Sequence, residues 1–257
     1  MKNKPFAWQH KARVLSIALA SLSGILIGQQ KTAAQNRTAD ASIPHLEQRG
    51  KAQQLIVDGK PFLVLGGELH NSSATSTAYL NPLLPRLDSA HLNTVLAAIT
   101  WELMEPQEGH YDFSLVDNVL TNARKSNLKV CLLWFGTWKN SFSHYAPAWV
   151  KEDYKRFPRM HIKGGYAVES ITPLSTAAME ADSKAFAALM KHVKEVDAQH
   201  TVILIQVENE VGLLGDSRDR GPLAEKAWQQ QVPAELIAYL QKNKDHLLPE
   251  TQKLWAA

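Results

Sequence analysis

Two hydropathy periods take turns along this chain. Near-continuous apolar runs at residues 94–99, 128–133 and 202–207 read as strands buried on both faces. Between them, residues 113–126 place Val116, Val119, Leu120 and Ala123 at helical spacing, and Phe186, Leu189, Met190, Val193 and Val196 form a second amphipathic stripe. Upstream, Leu55-Ile56-Val57 and Phe62-Leu63-Val64-Leu65 flank Asp58-Gly59-Lys60-Pro61. Asp-Gly supplies the positive φ angles of a tight hairpin, and the second arm is expected to run on as a core strand. The recurring strand, helix, strand order predicts a parallel sheet with right-handed crossovers. After the fourth strand, residues 223–231 and 233–242 read as helices divided at Pro233. The long stretch from 135 to 173, marked by prolines, exceeds a simple connection and is expected to cover a site.

Composition narrows the class. The chain has 257 residues, 45% of them hydrophobic and 21% charged, which excludes disordered and fibrous proteins and suits one α/β domain. Residues 1–34 carry Lys2, Lys4, Lys11, Arg13 and Lys31, no acid, an apolar run over 14–28 and Ala33-Ala34, the pattern of a secretory signal peptide. The apolar run is short for a membrane span, so export to the periplasm or outside is expected, without a stable anchor. Without the leader, 28 − 5 = 23 basic residues face 25 acidic ones, and no nucleic-acid partner is implied. Residues 35–50 are polar and mixed, read as a linker into a domain spanning 51–257. Cys131 is the single cysteine and reads as core, so no disulfide within the chain and no thiolate zinc cluster is possible. The histidines show no metal-binding pair, and neither a metal nor a cofactor is expected.

The candidate chemistry collects where the strands end. Residues 202–207 stop in Glu208-Asn209-Glu210, and Gly66-Gly67-Glu68-Leu69-His70, Trp101-Glu102-Leu103-Met104-Glu105-Pro106 and Leu133-Trp134-Phe135-Gly136 close three other strand-like runs. Polar and aromatic groups at the C-terminal ends of parallel strands are where barrel enzymes keep their sites. Continued alternation would put Glu208 on the same side as Glu210, where like-charge repulsion would raise the latter's pKa; a salt-bridged strand residue is the alternative. Trp101, Trp134 and Trp138 are candidate sugar platforms or core residues. Glu105 is read as a sugar-hydroxyl ligand or a cap on the following loop, and Glu68 as a substrate contact or a paired buried charge.

These motifs carry a resemblance. Asp58-Gly59-Lys60-Pro61-Phe62 with Gly66 to His70, Trp101 with Glu105-Pro106, Pro147-Ala148-Trp149, and Gln206 to Glu210 with Gly212 resemble, in order, the motifs of glycoside hydrolase family 35, the retaining β-galactosidases. The segment from Trp101 through Asp117 is equally similar to family 42 β-galactosidases of the same barrel clan. The resemblance implies a (β/α)8 TIM-barrel type of fold, of which this chain supplies about four βα units, its N-terminal half. It also implies a β-galactoside or related oligosaccharide as substrate, Glu210 as general acid/base and Asn209 as a donor to the sugar 2-hydroxyl. Asn140 falls where family 35 has a sugar-binding glutamate. Ala98, Glu102 and Met104 replace the family 35 tyrosine, asparagine and histidine, which bears on galactose specificity. The clan's nucleophile ends the seventh strand, beyond residue 257. A binding protein without hydrolysis and an inactive fragment are the competing readings, and the oligomeric state is left open.

Overall fold

The computed structural model describes residues 43–256, so the expected leader lies outside the described residues. The described part opens with an antiparallel ribbon of β1 (His45–Arg49), β2 (Ala52–Val57) and β3 (Lys60–Pro61). β1 runs through residues expected to be a linker, pairing residue by residue with β2 from His45↔Ile56 to Arg49↔Ala52. Polar composition concealed it because no residue of β1 is buried, so this strand requires no apolar alternation. The Asp58-Gly59 turn forms as expected, with φ of 51° and 72°.

The second hairpin arm does not become a core strand. Residues 62–65 stay irregular, held by the Asn93 side chain, whose Oδ1 accepts from Leu65 N–H and whose Nδ2 donates to the Leu63 carbonyl, both at 2.9 Å. Pairing begins only at β4 (Gly66–Glu68). β4, β5 (Thr94–Thr100), β6 (Lys129–Phe135) and β9 (Val202–Val207) form a four-stranded parallel sheet in that order. Short helices α1 (Thr77–Leu80) and α2 (Leu84–Ser89) lead into β5, α3 (Trp101–Met104) follows it, and α4 (Ser114–Lys125) returns the chain to β6. The stretch between β6 and the next long helix holds α5 (Ala148–Lys151) and an antiparallel pair, β7 (Arg159–His161) and β8 (Ala167–Ile171). α6 (Thr176–Val196) then feeds β9, and α7 (Pro222–Trp228), α8 (Ala234–Lys242) and α9 (Pro249–Ala256) follow. The break between α7 and α8 falls beside Pro233, as predicted. Among the described residues no helix is long and apolar enough to cross a membrane.

Register divides the sheet into unlike faces. Val95, Ala97, Ile99, Val130, Leu132 and Trp134 face the helices and pack with Val116, Val119, Leu120 and Ala123 of α4 and Ala178, Ala185, Leu189 and Val193 of α6. Glu68, Leu96, Cys131 and Leu204 align across the other face, followed by Ala98, Leu133 and Gln206, then Thr100 and Phe135. Here only Ala98, Cys131, Leu133 and Phe135 form a buried cluster, with Leu96 and Tyr145 against it. Leu204 remains 42% exposed on this face. Cys131 is buried as expected, and burial pushes its thiol pKa up.

Candidate active site

β9 enters the site from a fixed turn. Asp197, just past α6, accepts from Thr201 N–H at 2.9 Å, Val202 N–H at 2.8 Å and Arg124 Nη2 at 2.6 Å. The strand ends at Val207, and Glu208 and Glu210 then take φ of 62° and 50°. Left-handed residues abolish strand alternation, so the expectation that the two glutamates project together is corrected. Glu208 turns to the end of β6, where Oε2 accepts from Trp138 N–H at 2.7 Å and Oε1 from Thr137 N–H at 3.2 Å.

Glu208, half-buried, forms a carboxyl pair with the buried Asp182. Asp182 of α6 accepts from Trp134 Nε1 at 2.9 Å, Thr137 N–H at 2.6 Å and Thr137 Oγ1 at 2.5 Å. Burial first, then hydrogen bonding to Asp182 and its charge, push the Glu208 pKa up to about 9. The perturbed glutamate is therefore Glu208 itself, protonated at neutral pH. Gly136 is required at the centre of this junction: a Cβ there would lie 2.5 Å from Asp182 Oδ2, Glu208 Oε1 and Trp134 Nε1. Asp182 went unremarked in the sequence, although it interrupts the buried stripe Ala178, Ala185, Leu189 of α6 and was legible as a carboxylate on an apolar face.

Glu210 is left exposed, with its main chain held instead of its side chain. Lys139 and Phe142 exchange main-chain hydrogen bonds of 2.9 and 3.0 Å around Asn140 and Ser141, whose φ of 53° and 62° make a two-residue hairpin turn. Ser141 N–H and Oγ–H both donate to the Glu210 carbonyl, at 3.0 and 3.2 Å. Lys139 Nζ donates to Asn209 Oδ1 at 2.9 Å and lies 4.7 Å from the centre of the Phe135 ring. Asn209 and Glu210 are thus pinned to the loop after β6 at the C-terminal end of the sheet. Asn140 shares this loop, as a turn residue rather than as an evident ligand. Lys139 was not foreseen, because its role depends on contact with Asn209, seventy residues away in sequence.

Other candidates are placed elsewhere. Trp101 is fully buried and donates through Nε1 to Glu105 Oε2 at 2.6 Å. Glu105 is buried too, and its Oε1 accepts from Gly109 N–H at 2.7 Å, so it caps the following loop and has no free oxygen for a sugar. Trp134 is fully buried against Phe186 on the helix side of the sheet. Neither indole can serve as a sugar platform in this arrangement; the large apolar rings were drawn into the helix-facing core. Trp138 is nearly buried as well, with its N–H on Glu208. Glu68 stays exposed on the open face, level with Leu96 and Cys131 and so below the Phe135 layer.

A parallel sheet with a glutamate exposed at its C-terminal end belongs to the class of α/β proteins that hold their sites at strand ends. The glycoside hydrolase family 42 model, described as Beta-galactosidase, matches residues 77–249, and the chain belongs to that family. A Beta-galactosidase of Xanthomonas manihotis is 30% identical over 166 residues, covering 63% of this chain and 26% of that protein. Beta-galactosidase-1-like protein 3 of Homo sapiens is 27% identical over 216 residues, covering 81% of this chain and 31% of that protein. The chain spans less than a third of the length of these curated relatives. The catalytic domain of a β-amylase from Paenibacillus polymyxa superposes with a TM-score of 0.41 at 15% identity, over 51% of this chain and 33% of that one.

Proposed function

We propose that the protein is an exported glycoside hydrolase that cleaves terminal β-galactosides with retention, with Glu210 as its general acid/base. The observation that carries this reading is the pinned Asn209-Glu210 pair. It sits at the C-terminal end of a parallel sheet in a chain of the family 42 β-galactosidases, with the Glu210 side chain exposed. The motif order shared with family 35 supports the same assignment.

Retention requires one carboxyl group to protonate the leaving oxygen and later deprotonate water, and a second, about 5 Å away across the sugar, to attack the anomeric carbon. Glu208 is unsuited to the second role, since it is protonated and committed to Thr137, Trp138 and Asp182. The nucleophile then comes from beyond the four described parallel strands, and the sheet is the first half of a (β/α)8 barrel. The half-open face bearing Leu204 and Gln206 supports this reading, because it would become the barrel interior. In this reading Asn209 donates to the 2-hydroxyl; the Lys139 bond to its amide oxygen supports the role by leaving its NH2 as the free end.

The test is Glu210→Gln in the full-length protein with an aryl β-galactoside. The expected loss in kcat/KM is about 10²–10⁴-fold, the usual worth of a general acid/base. Near-normal turnover by a folded variant would overturn the assignment.

A further inference from the structure

A cavity of about 310 Å3 opens in the stretch between β6 and α6 and is lined by Ser143, His144, Lys151, Tyr154, Arg159 and Glu169. That volume suits a single sugar residue, at the small end of ligand sites. Arg159 is its unusual member. Only 7% of its surface is exposed. Its Nη1 donates to the Phe157 carbonyl at 3.1 Å and its Nη2 to the Lys151 carbonyl at 2.5 Å, and the guanidinium lies 4.5 Å from the centre of the Tyr154 ring. These partners are neutral. Among the described residues no carboxylate lies within ion-pair distance of it. A guanidinium withdrawn from water without a counter-ion is a site for an anion.

The other ionisable groups around the cavity have direct partners. Lys151 Nζ pairs with Glu102 at 3.0 Å and donates to the His144 carbonyl at 2.8 Å, and His144 pairs with Glu169. Arg159 has no carboxylate in direct contact, although the charge of Glu169 acts on it at longer range. Glu169, with one oxygen on the His144 ring, retains acceptor capacity for hydroxyl groups. The cavity also adjoins the support of Glu210. On β8, Glu169 lines the cavity, while Ser170 Oγ donates to the carbonyl of Ser141, the residue that holds Glu210. Ser143, in the cavity wall, accepts from Ile171 N–H at 2.9 Å.

We propose that this cavity is a subsite for an acidic sugar unit, with Arg159 and Lys151 binding its carboxylate or sulfate and Glu169 accepting from its hydroxyls. The anion requirement stands on Arg159 alone; that the anion is borne by a sugar rests on the glycosidase reading above. A substrate whose aglycone or neighbouring unit is uronic or sulfated would be held while Glu210 acts on an adjoining bond.

The experiment titrates the full-length protein by calorimetry with galacturonate, galactose 6-sulfate, galactose and inorganic sulfate. The acidic sugars should bind about tenfold or more tighter than galactose, as one charge-assisted hydrogen-bonded pair predicts, and inorganic sulfate should bind more weakly than either. Lys151→Met and Arg159→Lys, with folding checked by circular dichroism, should each weaken the acidic sugars and leave galactose unaffected. Arg159→Lys keeps the charge while removing the planar fork, so the proposal survives a fold-sensitive Arg159 through Lys151. No saturable binding of either acidic sugar, equal binding of galactose, indifference to both variants, or sulfate binding as tightly as the sulfated sugar would each overturn it. Glu210→Gln should leave the excess affinity for the acidic sugars over galactose, and its dependence on Arg159 and Lys151, unchanged, so loss of the subsite and loss of the Glu210 assignment are read separately.

Discussion

Glu105 and Glu210 both lie just beyond the end of a parallel strand, yet the fold treats them oppositely. Both oxygens of Glu105 are taken, one by the Trp101 indole and one by Gly109 N–H, and the residue is sealed beneath the Trp149 ring system, whose Nε1 donates to its carbonyl at 3.1 Å. Glu210 is held only through its carbonyl, by Ser141, and keeps its carboxyl group exposed. A glutamate whose acceptors are satisfied inside the protein serves stability, while one whose backbone is fixed and side chain is open has the freedom that the proposed acid/base role requires. Glu208 shows a third outcome two residues away, a protonated carboxyl welding β6, β9 and α6 together.

The sharpest test of this contrast pairs activity with stability. Glu210→Gln should abolish most turnover yet change unfolding free energy by no more than about 0.5 kcal/mol, as exposed substitutions do; a large drop in Tm would erase the distinction. Glu105→Ala should do the reverse. Leaving the buried Trp101 donor without a partner and freeing the Gly109 N–H should cost about 1–3 kcal/mol in denaturant unfolding, with turnover per folded molecule retained. If that variant instead raised KM without destabilising, Glu105 would return to the substrate site.

Gly136→Ala probes the junction that separates Glu208 from Glu210. Three polar atoms at 2.5 Å from the new Cβ must shift, so a destabilisation of about 1–3 kcal/mol is expected from overpacking. An unchanged Tm would mean that the junction is looser than these distances imply.

The subtlest effect is in pH. The Glu208 pKa is raised from an ordinary carboxylate value to about 9 in the folded protein, so across the window between those values the folded state binds more protons than the unfolded chain. Its contribution to stability is then complete below the ordinary carboxylate range and declines as pH rises toward about 9. Glu208→Gln, a neutral mimic whose NH2 can donate to Asp182, should flatten that decline in denaturation curves measured at several pH values. Identical pH profiles for the two proteins would place the proton elsewhere.

What the sequence determined by itself is the local and periodic part of the protein. Apolar runs at the three long parallel strands, the stripes of α4 and α6, the Asp58-Gly59 turn, the Pro233 break and the burial of Cys131 follow from hydrophobic period and backbone preference, which neighbouring residues decide. The motif order around Glu210 was equally legible, because Asn209 and Glu210 are adjacent in the chain. Tertiary structure alone decided which face each strand end presents. Left-handed backbone at Glu208 and Glu210 cancelled the alternation, Asn93 delayed pairing until β4, and β1 formed from polar residues because its partner supplied the hydrogen bonds. It also decided between the two readings of Trp101 and Trp134, making both core rather than sugar platforms. An indole's apolar area favours burial wherever the register points it at a helix, and each buried N–H found a carboxylate, Glu105 or Asp182, to receive it. Lys139 and Asp182 gained their partners in the same way, from contacts between residues far apart in the chain.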